Sequence, residues 1–152
     1  MKIAFYKAFQ RKSTKLDILI AIVTLGKYSH VEWVFSDGMC FSSSYRDKGT
    51  RFKKINLDPA QWKMYNVICS RQQELKLRAF CEGHEKVGYD AIGAIFSAIP
   101  FLVIQRTSKY FCSELVVNSG NMILGFGLQD GAKYSPNRLE RIIKKRSTPK
   151  WQ

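Results

Sequence analysis

The sequence predicts an α+β domain in which one antiparallel sheet of about five or six strands packs against helices. Three observations carry that prediction. Two alternating runs, HVEWVF and MCFSSSY, are joined through Ser36-Asp37-Gly38, and Asp-Gly between alternating runs is a strong local signal for antiparallel pairing. Arg71 to Glu85 spaces Leu75, Leu77, Phe80 and Cys81 among charges, approximating the 3.6-residue period of an amphipathic helix. The chain has 152 residues, 45% hydrophobic and 13% aromatic, enough for one packed core and too apolar for a disordered segment. Residues 1–152 therefore read as a single domain whose tail frays after about residue 144.

Taken in order, Lys2 to Ala8 alternates well enough to be a first strand. The run LDILIAIVTL, ending at Leu25, is apolar at nearly every position. It is too short to span a bilayer, which needs about 20 apolar residues, so it reads as a buried core helix with Gly26 as its C-cap. The hairpin follows, then Asp47-Lys48-Gly49 turns into TRFKKINL, and WKMYNVIC follows Asp58-Pro59. Residues 30–69 thus read as an antiparallel meander. After the amphipathic helix, Gly88-Tyr89-Asp90 opens the apolar run AIGAIFSAIPFLV, with Asp90 in the position of a helix cap. A helix beginning near CSELVVNSGNM comes next, and Pro136 sits in the first turn of a last helix, RLERII.

Twenty-five Lys and Arg against 12 Asp and Glu give a net charge of +13, which favours an anionic partner: nucleic acid, a cell-wall polymer or acidic lipid. Cys40, Cys69, Cys81 and Cys112 show no C-x-x-C spacing and no histidine at zinc-finger distance, so no metal site and no cofactor is expected. Free thiols suit a reducing compartment. The basic N-terminus has only a short apolar run, broken by Lys7, so no secretory signal is read and a cytoplasmic location is expected.

Only His30 and His84 are available for histidine chemistry. His84, in EGHEK, reads as a surface imidazole; His30 opens a strand where its ring can face a groove. Cys112, in YFCSEL, stands where an irregular segment becomes a helix, and a helix N-terminus favours the thiolate, which is the nucleophilic form. Glu32 shares a strand face with His30 because residues i and i+2 point the same way. On residues alone a Cys112–His30 dyad is permitted, beside the alternative that each cysteine is an inert core residue.

The ordered segments SHVEWVFSDG, YDAIG, YFCSELV and YSPNRL resemble the signature of YiiX-like proteins. These form a circularly permuted branch of the NlpC-type papain-like superfamily, in which the histidine strand precedes the cysteine helix. The resemblance runs from about Lys2 to Leu139, and its compact basic form is most similar to small phage-encoded members. It implies a permuted papain-like (NlpC-type) α+β fold and a cysteine hydrolase with Cys112 as nucleophile and His30 as general base. The third member would be Glu32 or, on the next strand, Ser42. The backbone of Cys112 or Ser113 would supply oxyanion donors, and Tyr89 would wall the substrate groove. Trp33 and Trp62 read as core residues. Implied substrates are amide or isopeptide bonds of peptidoglycan or of a host protein in the host cytoplasm, with lipid acyl groups as an alternative. A nucleic-acid-binding module on an inactive fold is the rival reading.

Overall fold

The structure is a computed structural model that describes residues 1–89 and 109–147. Tyr89 is described in its backbone only, and Asp90 with the apolar run after it lies outside the described residues. Along the chain stand β1 (Lys2–Lys7), α1 (Lys15–Val23), β2 (Tyr28–Val34), β3 (Met39–Ser44), β4 (Gly49–Lys54) and β5 (Trp62–Asn66). Then come α2 (Arg71–Gly83), the two-residue strands β6 (Gly88–Tyr89) and β7 (Lys109–Tyr110), α3 (Cys112–Leu124) and α4 (Pro136–Ser147).

The seven strands lie in the order β5-β1-β2-β3-β4-β6-β7, antiparallel except for the β6–β7 pair. The α+β expectation holds, and the β2–β3 hairpin turns at Gly38, whose φ of 81° only glycine adopts freely. The meander ends at β4, however. β5 crosses to the opposite edge and pairs with β1, Trp62 opposite Tyr6, while the far edge of β4 is taken by β6. That edge is closed to any residue but glycine at position 49, since a Cβ there would lie 2.3 Å from the Val87 carbonyl oxygen.

One face of the sheet is the main core. Ile3, Phe5, Val31, Trp33 and Phe41 meet Leu77 of α2, Leu115 of α3 and Leu139 of α4. The indole N–H of Trp33 donates to Ser119 Oγ at 3.0 Å, so even this polar atom is satisfied inside the core. On the other face Ala4, Tyr6, Val34, Cys40 and Trp62 form a smaller apolar cluster.

The buried reading of α1 is corrected. Asp17, Ile20 and Ala21 are buried, but Ile18, Leu19 and Ile22 stand on the outer side, 38%, 43% and 58% exposed. A helix apolar all round gives its sequence no way to say which side is covered. Gly26 is not its C-cap either. Thr24 is the cap, and Leu25, at φ 48°, takes the left-handed position. Leu25 N–H donates to Ile22 O and Gly26 N–H to Ala21 O, a Schellman closure. Gly26 is required for another reason: a Cβ there would lie 2.1 Å from the Asn137 side chain.

Candidate active site

Local structure aims His30 before any long-range contact does. β1 and β2 pair Tyr6 with His30 but Lys7 with Tyr28, so Ser29 is an extra residue on β2. Such a bulge bends a strand and redirects its side chains, and here both Ser29 and His30 line the same cavity, of about 320 Å³. The start of β2 is pinned from α4: Asn137 Oδ1 accepts from Tyr28 N–H at 2.9 Å, and its amide donates to Tyr28 O at 2.7 Å.

Glu32 meets the imidazole, with His30 Nε2 to Glu32 Oε1 at 2.7 Å. The carboxylate is fully buried and is held from its far side by Arg51, Nη2 to Oε1 at 2.7 Å and Nη1 to Oε2 at 2.9 Å. Arg51 Nε donates to Asp47 Oδ2 at 2.7 Å, and Lys53 closes the chain on Asp47 Oδ1. A buried carboxylate is tolerated only with such pairing. Burial alone would raise its pKa, but His30 and Arg51 reverse this and hold Glu32 below the usual carboxylate range.

Ser42, the alternative third member, does not reach the histidine. Its hydroxyl donates to Val31 O at 2.6 Å. Its place is between the strands of the ion pair: Ser42 is the Cα partner of Arg51, and so small a side chain lets the guanidinium pass across to Glu32.

Cys112 is the first residue of α3, after Phe111 at the N-cap, which provides no side-chain cap. The leading N–H groups of a helix have no intrahelical acceptor, so the thiol sits beside unspent donors and the positive end of the helix dipole. It also faces His30. Burial by itself would lower the imidazole pKa; the charge and hydrogen bond of Cys112, then those of Glu32, outweigh it and raise it to about 9. With Nε2 engaged by Glu32, Nδ1 is the nitrogen left for the thiol. Cys112 is 1% exposed and is not among the side chains lining the cavity, whose wall carries His30, Glu32, Tyr6 and Trp62.

Ser113 occupies the second helical position, and its buried hydroxyl has no hydrogen-bond partner among the described residues. The side chain of Tyr89 lies outside them. His84 is not among the side chains lining the cavity: it caps α2, its ring bonds Phe80 O at 2.8 Å and stacks on the Phe80 ring.

Sequence reasoning missed Arg51, Asp47 and Tyr6, and the place of Trp62 on the cavity wall. Trp62 is the core residue expected, buried in the smaller apolar cluster, and it also lines the cavity. The pairings Trp62–Tyr6 and Tyr6–His30 set the three side chains in one row across β5, β1 and β2, with the Trp62 and His30 rings 6.3 Å apart edge to face. The period-2 alternation of each strand marked the right face, but only register could join them.

No family model and no curated protein matches this chain. Among solved structures it is similar to the metalloprotein YiiX of Escherichia coli O157:H7, at 18% identity with a TM-score of 0.56, covering 82% of this chain. The chain spans 65% of the length of that protein. The fold is thus YiiX-like, in keeping with a papain-like α+β architecture. YiiX is described as a metalloprotein, but the described residues of this chain do not fit a metal centre. Among the described residues no three His, Cys, Asp or Glu side chains form a ligand set, and the Glu32 oxygens are already spent on His30 and Arg51.

Proposed function

We propose that the protein is a cysteine hydrolase of the permuted NlpC-type papain-like kind, cleaving an amide or ester bond through a thioester on Cys112. One observation carries the reading: a cysteine at the first position of a helix faces an imidazole whose other nitrogen is fixed by a buried carboxylate. In the first step Sγ attacks the substrate carbonyl carbon as its proton resides on His30 Nδ1. The leaving amine or alcohol takes that proton as the C–N or C–O bond breaks, and the acyl group remains on sulfur. Water, deprotonated by the same nitrogen, then attacks the thioester, releasing the acid and restoring the thiol. Glu32 accepts from Nε2–H throughout, keeping the ring oriented and its positive form stabilised. The N–H groups of Cys112 and Ser113 are the donors for the oxyanion.

The net charge of +13 supports an anionic substrate or surface, such as peptidoglycan or an acidic host protein. The same charge is the observation favouring the second reading, a nucleic-acid-binding module.

An electrophilic acyl probe decides between them. Wild type is expected to be acylated at Cys112, and Cys112→Ala and His30→Ala to lose labelling by at least about 10³-fold. Cys69, partly exposed, serves as internal control, because its alkylation should not respond to His30→Ala. A reduced, folded protein that shows no His30-dependent labelling of Cys112, yet binds DNA with a steep salt dependence, would sink the hydrolase reading.

A further inference from the structure

The outer side of α1 carries an exposed apolar stripe. Ile18, Leu19 and Ile22 recur at helical spacing, and Leu25, 85% exposed, continues the stripe past the helix end. A contiguous apolar patch on a soluble domain marks an interaction site. Its rim is cationic: Arg11, Lys12 and Lys15 precede or begin the helix, Lys27 follows it, and all are exposed. Arg141 of α4 reaches the same end, its guanidinium donating to Leu25 O at 3.5 Å. Asp17 is the sole acid between Arg11 and Lys27. It is turned inward and consumed by Thr14, Ser29 and Arg46.

We infer that α1 is an interfacial helix that docks the protein on an anionic lipid surface. Apolar side chains enter the acyl boundary while Lys and Arg meet the headgroups. Charge selects this occupant over a second copy, since a two-fold contact through this face would bring the two cationic rims together. Nucleic acid offers nothing to Ile18, Leu19 and Ile22. The other side of α1 contributes Leu16, Asp17 and Ile20 to the cavity that holds His30, so one helix carries the docking face on its outside and part of that cavity's wall on its inside. The docking does not depend on the hydrolase reading, and Cys112→Ala should dock like wild type.

Vesicle flotation of the full chain tests it, comparing phosphatidylcholine alone with phosphatidylcholine containing about 30% phosphatidylglycerol. Wild type is expected to float with the anionic vesicles, to stay behind with the neutral ones and to be released by salt. A variant carrying Ile18→Ser, Leu19→Ser and Ile22→Ser, its folding checked by circular dichroism, should bind about tenfold more weakly or worse. Should that variant not fold, Lys12→Glu with Lys15→Glu tests the rim and should also lose binding. Flotation unaffected by either variant overturns the proposal. So does a wild type that fails to float: sedimentation as a dimer split by the triple variant assigns the face to a second copy, and a monomer removes any docking role from it.

Discussion

β2 carries two kinds of chemistry on its two sides. Val31 and Trp33 enter an apolar core against three helices, where the Trp33 indole N–H is satisfied by Ser119. His30 and Glu32 face a cavity and a chain of charges that runs through Arg51 to Asp47 and Lys53. The first side is held mostly by non-directional packing, and away from Cys112, which seats in the same core, it tolerates rearrangement at a cost mainly in stability. The second depends on the position of each donor, because Glu32 is fully buried and Arg51 nearly so, each against its partner. A strand with period-2 alternation can therefore be read as one side for folding and one side for function, and substitutions should separate the two.

The largest effect is expected at Glu32. Glu32→Gln keeps an acceptor for His30 Nε2 but removes the charge, and should lower turnover of any acyl substrate on the order of 10²–10⁴-fold, as losing the carboxylate behind a catalytic histidine does. Arg51→Ala acts from one step further out. It leaves Glu32 buried with only His30 against it, and should destabilise the fold by about 3–5 kcal/mol, read as a shift in the urea midpoint. An Arg51→Ala protein as stable as wild type would mean that the charge chain contributes nothing to the fold.

The pH dependence sharpens the same contrast. The folded pKa of His30, about 9, lies above its usual 6.5, so protonation favours the folded state. That contribution is fully present below about 6.5 and is lost as pH rises through about 9. Turnover should fall on the same alkaline limb, as the ring gives up the proton owed to the leaving group. Glu32→Gln removes one of the groups that raise the imidazole and should move both limbs to lower pH. A pH–rate profile with its alkaline limb unmoved in that variant would detach Glu32 from His30.

What could be read in advance follows from how local each feature is. Glu32 beside His30 is a two-residue relation within one strand, and Cys112 at a helix start is marked by the change of pattern around it. Arg51 and Trp62 reach the site through strand register, which no local run of residues specifies. The two glycine turns show the same limit at smaller scale. At Leu25-Gly26 and Lys48-Gly49 the left-handed residue is the one before the glycine, at φ 48° and 60°, while the glycine admits Asn137 in one case and the Val87 carbonyl in the other. Turn chemistry was legible; the neighbour that needed the missing Cβ was remote in sequence. α1 was misread because uniform apolarity names no buried side.

The smallest effect is expected on the apolar side of β2. Ser119 Oγ accepts from the Trp33 indole at 3.0 Å and donates to Leu115 O at 2.7 Å within its own helix. Ser119→Ala therefore leaves one buried N–H without an acceptor, while the helix carbonyl keeps its backbone donor. An unsatisfied buried donor costs about 1–3 kcal/mol, and because Phe126 lies against the same indole, the neighbourhood can partly close, which places the loss near the lower end. Thermal or urea unfolding should register it. The alkaline limb of the rate profile should stay where wild type has it, since neither Trp33 nor Ser119 touches the His30–Glu32–Arg51 chain. A Ser119→Ala protein with a shifted limb would show that the two sides of β2 are coupled through the strand, and the separation drawn from their chemistry would fail.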